Sequence, residues 1–281
     1  MGINMRTSIA FLLLFTLQAA AFAETGSVPQ SQITRNIIAE GACAIEGMSA
    51  DQAKTIALQR ARAAAIEQVT GVSVSSSTLV TDYKPVAYFV KAYTRGFIVG
   101  EKVEYPPPGQ YQKDITTPWI FEYRVKIVAD VRTPAPKIKP LGLIANTDKG
   151  KAVYRNGEKM QVEIKVGRKA KIAVFNIMAD DTIAMLFPNE YDKHNLCAEN
   201  TSFIYPDKNS PVELIMQTLP GRKHDAEALL VVALDTECGK NFEDLFARNK
   251  ALAFQDFFQK YAEIADYAED VVLAYEIIGG P

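Results

Sequence analysis

The stretch from Ser49 to Gly71, SADQAKTIALQRARAAAIEQVTG, constrains the fold more than any other part of the chain. Ser49 followed by Gln52 has the spacing of a capping box, in which each side chain satisfies the other residue's backbone N–H. No Pro or Gly interrupts Ala50 to Thr70, and Gly71 stands where a left-handed C-cap belongs. The pattern therefore predicts a long helix over 50–70. Its stripe is Ala53, Ala57, Ala61, Ala64 and Ala65, flanked by Leu58, Ile66 and Val69. Small residues on a buried stripe let a helix lie close to a sheet. Lys54, Arg60, Arg62, Glu67 and Gln68 take the other side and read as solvated surface. Anion binding by Arg60 and Arg62 is the alternative.

Strands on either side fit such a helix. Arg35 to Glu46 alternates, with Ile37, Ala39, Gly41, Cys43 and Ile45 in one phase. Val72 to Val80 reads as a second strand, and Pro85 opens an ambiguous segment between Asp82 and Tyr93. Gly96 to Tyr105 is a further strand. Trp119 to Val131 has the cleanest pattern: Phe121, Tyr123, Val125, Ile127, Ala129 and Val131 alternate with Glu122, Arg124, Lys126 and Asp130. Such alternation implies one face in the core and one in water, as in an antiparallel sheet.

Arg132 to Pro140, RTPAPKIKP, reads as a semi-rigid linker because of its three prolines. Beyond it the pattern changes to short hairpins. Met160 to Val166, Lys171 to Met178, Thr182 to Phe187, Val212 to Met216 and Ala228 to Leu234 read as strands. Pro188 to Ser202 reads as a polar loop. Asn241 is a plausible N-cap for a second long helix, Phe242 to about Tyr267, with Phe242, Phe246, Ala253, Phe257, Tyr261 and Ile264 at helical spacing. Val271 to Ile278 closes the chain as a strand. The expected class is α+β: an antiparallel sheet packed on a long helix (24–131), the linker (132–140), then a small β-sandwich-like domain with a C-terminal helix and strand (141–281).

Met1 to Ala23 has the form of a cleavable signal peptide. Arg6 supplies the positive region, Ile9 to Ala21 the apolar region, and Ala21-Phe22-Ala23 the cleavage signal. No Cys follows, so lipid anchoring is not expected, and no other stretch reaches the ~20 apolar residues of a membrane helix. A periplasmic location follows as an expectation. Removing the segment removes only Arg6, so the formal charge of −2 becomes −3. That balance, without a basic run interleaved with aromatics, argues against nucleic acid as a partner.

Of the three cysteines, Cys197 and Cys238 lie in polar, loop-like contexts, and in an oxidising compartment they are the candidate disulfide. A metal site from His194, Cys197 and Cys238 is the alternative, without the paired spacing of a zinc motif. Cys43 falls on the apolar phase of its strand and reads as a buried thiol.

Two resemblances appear. Gly41-Ala42, the run ARAAAIEQVTGVSVSSST from Ala61 to Thr78, and Gly96-Phe97-Ile98 resemble the N-terminal domain of the flagellar assembly protein FlgT and related envelope lipoprotein domains, over about 37–131. Tyr154, Gly157, Glu158, Val162, the strand Ala173 to Asn176 and above all Leu186-Phe187-Pro188-Asn189 are similar to the domain of unknown function 4384, over about 152–234. The second resemblance implies a bacterial envelope setting and brings no catalytic residues.

There is no GxSxG, HExxH, P-loop or dinucleotide fingerprint. No catalytic residue, metal or cofactor is therefore expected, and the chain does not read as an enzyme. The candidate binding loop is Pro188 to Leu196, which gathers Tyr191, Asp192, His194 and Asn195. The expected role is a non-enzymatic exported module that binds another envelope protein. A soluble periplasmic ligand-binding protein is the alternative.

Overall fold

A computed structural model describes residues 31–45, 49–71, 90, 92–112, 114–136, 139–149, 152–180, 182–248 and 250–279. The signal-peptide reading, the strand expected over 72–80, and most of the segment 82–93 lie outside the described residues.

The N-terminal layer is a sheet under a helix. β1 (Gln32–Ala44), β2 (Phe97–Glu104), β3 (Gly109–Tyr111) and β4 (Ile120–Thr133) form an antiparallel sheet in the order β1-β4-β2, with β3 also on β4. The helix α1 (Ala50–Thr70) lies on one face, and Gly71 follows at φ 67°. Ala53, Ala57, Ala61 and Ala65 are all fully buried against that face. The approach is so close that a Cβ on Gly41 would overlap the carbonyl oxygen of Ala57 and the amide nitrogen of Ala61. Glycine is required there by space alone. Arg60 and Arg62 are not solvated surface. Arg60 Nη1 donates to Ala42 O on β1, and buried Arg62 forms a two-point pair with Glu101 on β2.

The C-terminal part is built on a seven-stranded sheet in the order β15-β10-β9-β14-β16-β6, with β11 also on β9. Its members are β6 (Val153–Arg155), β9 (Ala170–Ile177), β10 (Thr182–Phe187), β11 (Leu196–Cys197), β14 (His224–Asp235), β15 (Leu252–Ala253) and β16 (Ala268–Ile278). All pairings are antiparallel except β16 with β6. The centre of β14 is buried on both sides, which explains its continuous apolar run ALLVVAL. One face of the sheet, with Phe175, Leu230 and Val232, shares a core with α1 and the N-terminal sheet. The other, with Val174, Leu229 and Val231, is covered by the sheet β12-β8-β5 and the pair β13-β7. These are β5 (Ile144–Thr147), β7 (Lys159–Met160), β8 (Val162–Val166), β12 (Thr201–Tyr205) and β13 (Leu214–Ile215).

Two expectations are corrected. The class is not α+β: 45% of the chain is strand and 17% helical, so the fold is mostly β. Nor is there a long second helix from Phe242 to Tyr267. The chain forms α2 (Phe242–Leu245), turns extended at Phe246, passes through β15 and resumes as α3 (Phe254–Tyr261). The reason lies in the aromatic side chains. Phe242, Phe246 and Phe257 all surround Phe175, with ring centroids 6.0, 4.9 and 4.9 Å away. A continuous helix would hold Phe242 and Phe257 about 22 Å apart along its axis. Packing on one ring forces the break.

The connection between the two parts is tied at both ends. β4 extends through Thr133, so the first residues of the expected linker are strand. Asp266 then accepts from Arg132 and from the backbone of Ala135, the latter at 2.8 Å. Glu269 accepts the backbone N–H groups of Leu141, Gly142 and Leu143 at 2.6, 3.2 and 3.0 Å. Tyr93 meets Phe254 edge-on at 4.7 Å, and Gln255 donates to Ile98 O on β2 at 3.2 Å.

Candidate functional site

The loop after β10 is a constructed turn. The Phe187–Pro188 peptide is cis. The Asn189 side-chain oxygen accepts from the backbone of Tyr191 and Asp192 at 2.9 and 2.8 Å, and its amide donates to Leu186 O at 2.8 Å. Tyr205 Oη also donates to Leu186 O, at 2.8 Å. Asp192 faces Ser210, whose hydroxyl donates to it at 2.7 Å. Tyr191 and His194 are exposed, and Asn195 is half-buried with its carbonyl accepting from Ile172 N at 2.8 Å. The Asp192 side chain and the Asn195 backbone thus tie the loop to its neighbours, and none of these bonds joins the four residues into one constellation.

Cys197 and Cys238 are both free thiols, so the structure does not show the expected disulfide. Cys197 packs with the core on one side of the large sheet and Cys238 with the core on the other. Burial pushes the Cys197 thiol up, away from easy ionisation. Cys43 is also a thiol, and it is buried. Among the described residues, no group of three His, Cys, Asp or Glu side chains is placed to hold a metal ion.

Concave space lies elsewhere. A cleft of about 480 Å³ opens where the two parts of the chain meet, between the C-terminal end of α1, the Thr94-Arg95 turn, the segment Thr133 to Pro136, and Tyr261 and Asp270. Arg95 stands exposed at its rim, and the buried Tyr261 hydroxyl reaches Asp270 at 3.4 Å. Burial raises the Tyr261 phenol well above its ordinary range; Asp270 adds to the rise and Arg95 opposes it. A phenol held neutral in this way donates a hydrogen bond and makes a poor base. The cleft can orient a small polar ligand between a cation and a carboxylate.

A second feature is apolar and convex. The turn at Asp114 to Thr117 is fastened by Asp114, which accepts from Thr116 N at 2.9 Å. It presents Ile115, 94% exposed, and leads to Trp119 and Phe121, 62% and 59% exposed. Phe121 continues the phase of β4 that packs under α1, but at its end of the strand that face is left uncovered. Strand periodicity gives the phase of a residue and not the length of its cover.

Residues 153–226 match the family model described as Domain of unknown function (DUF4384). No curated protein matches the chain. The matched segment runs from β6 into the start of β14 and contains the Leu186-Phe187-Pro188-Asn189 turn. That motif is accounted for structurally, by the bonds that Asn189 makes. Three further polar residues, Asn176, Glu227 and Tyr275, meet beneath the smaller sheets, and sequence reading missed them. Their signal was available: Glu227 is in phase with Leu229, Val231 and Ala233, a carboxyl on the core side of a strand.

Proposed function

We propose that this chain is an exported, non-enzymatic envelope protein that acts by binding another envelope protein, inserting its apolar turn into that partner. The observation that carries the reading is the ordered display of Ile115, Trp119 and Phe121. Exposed aromatic side chains near an exposed aliphatic tip are the residue types that anchor interfaces. The N-terminal signal-like segment supports export, and the periplasm is the compartment proposed. Likeness of residues 37–131 to the FlgT N-terminal domain, on the motifs above, agrees with an assembly role. Among the described residues no helix is long and apolar enough to cross a membrane.

The test is site-specific photo-crosslinking in native envelopes, with the crosslinker at position 115 and, as a control, at Asp207. One dominant product from position 115, absent from position 207 and lost on Trp119→Ser, is expected. Equal labelling from both positions would end this reading. The second reading, ligand binding, is favoured by the cleft beside Arg95. It predicts a thermal shift with a small polar ligand that Arg95→Ala abolishes.

A further inference from the structure

Tyr275 Oη lies 2.7 Å from Glu227 Oε2 and 2.8 Å from Asn176 Oδ1, and Asn176 Nδ2 lies 3.2 Å from the same Glu227 oxygen. The three side chains belong to adjacent strands, β14, β16 and β9, and point to one face of the large sheet. Glu227 pairs directly with Tyr275, and Asn176 pairs with Leu229, two residues along β14. Glu227 and Tyr275 are both buried.

Three groups in mutual contact make three contacts, and each needs one hydrogen. An ionised Glu227 supplies none. The Tyr275 hydroxyl has a single proton and would leave one of its two close oxygens facing it without a hydrogen between. Turning the Asn176 amide over does not help, because its oxygen would then face Glu227 instead of Tyr275. With a proton on Glu227 the count closes: Glu227 donates to Tyr275, Tyr275 to Asn176, and Asn176 back to Glu227. We infer that Glu227 is a neutral carboxylic acid at neutral pH, closing a three-membered hydrogen-bonded ring that fastens β9, β14 and β16 and opens when the acid ionises.

The surroundings agree. From the turn after β9, Ala179 N reaches Glu227 Oε1 at 3.5 Å. On β14 itself, buried Asp225 accepts from Leu219 N and from Arg222 Nη1, the latter at 3.1 Å. The Arg222 charge is thus engaged by Asp225 and by Ala179 O rather than by Glu227. From β16, Glu276 lies in the opposite phase to Tyr275, 3.4 Å from His224. From β6, Tyr154 stands edge-on to Tyr275 and donates to Asp148 at 2.9 Å. Burial raises the Glu227 carboxyl above its ordinary range, against the bonds from Tyr275, Asn176 and Ala179, and Asp225 adds to the rise. A folded pKa above the unfolded value gives stability that is full below the unfolded carboxyl range and is lost as pH rises through the folded value.

Two measurements on the mature chain test this. In infrared spectra at neutral pH, the wild type should show a protonated-carboxyl C=O band that Glu227→Gln removes. The urea midpoint of the wild type should fall between about pH 5 and about pH 9, and Glu227→Gln, which keeps a donor and an acceptor, should lose that component of the fall. A wild type lacking the band at neutral pH would overturn the inference, as would a pH slope unchanged in Glu227→Gln. A wild type without the band overturns the inference even if the variant does not fold.

Discussion

Two helical contacts among the described residues bury sheet faces by opposite means. Under α1 the contact is made of Gly41 and alanines, so backbone nearly touches backbone. Under α2 and α3 it is made of rings: Phe175 on the sheet, then Phe242, Phe246 and Phe257 around it. Alanine buries little apolar area, and the first contact is supplemented by polar side chains at both flanks. Arg60 and Gln68 donate to Ala42 O and Ile38 O on β1, and Arg62 pairs with Glu101 on β2. The two β1 bonds also occupy carbonyls of a strand that is at the sheet edge among the described residues, where open carbonyls invite pairing. A close contact is thus specified by space and by polar straps, and a ring contact by volume.

The sharpest way to break the first contact is Gly41→Val. The added carbons would have to displace the Ala57 and Ala61 backbone, and a helix backbone cannot yield locally. We expect a loss of at least about 5 kcal/mol, in the range that marks a definite structural conflict, with no cooperative urea transition from the N-terminal layer. Gly100→Ala is the control. Its nearest atom would be 3.9 Å away, at the end of the Asp130 side chain, and its loss should be below about 1 kcal/mol.

The second contact breaks by deletion. Phe257 is buried, with ring centroids 4.9 Å from Phe175 and Phe246 and 5.1 Å from Phe258. Phe257→Ala should cost about 3–5 kcal/mol and Phe257→Leu about 1–2, measured by urea unfolding. The graded response is the contrast with position 41, where even a modest addition meets backbone.

These contrasts also explain what the sequence made legible. The limits of α1 were readable because Gly71 and the uninterrupted run before it are local signals. β4 was readable because alternation records a half-buried face. The break after Leu245 was not, since no Pro or Gly marks it and its cause, Phe175, is about 70 residues earlier in the chain. The same holds for Glu227: its phase on β14 is local, while Tyr275 and Asn176 come from other strands. The turn at Pro188 and Asn189 is legible locally, while the bond that ties Asp192 to Ser210 depends on a residue 18 positions farther along the chain. The two cysteines share polar flanking sequences, which is a local signal. Which core each packs against depends on the sheet between them.

A third set of variants tests whether the polar straps stabilise α1 or only orient it. Arg62 and Glu101 side chains are 10% and 15% exposed, so each would be costly to leave alone. Arg62→Met should lose about 3 kcal/mol, chiefly because Glu101 stays buried without its partner. The double variant Arg62→Met with Glu101→Leu should come back to within about 1 kcal/mol of the wild type, because neither charge is then desolvated. Such recovery in a double-mutant cycle would mean that the alanine contact carries the stability and the pair fixes the helix's position over β2. If the double variant is as unstable as the single one, the pair itself holds the layer together, and the small-residue contact depends on electrostatics in a way the aromatic one does not.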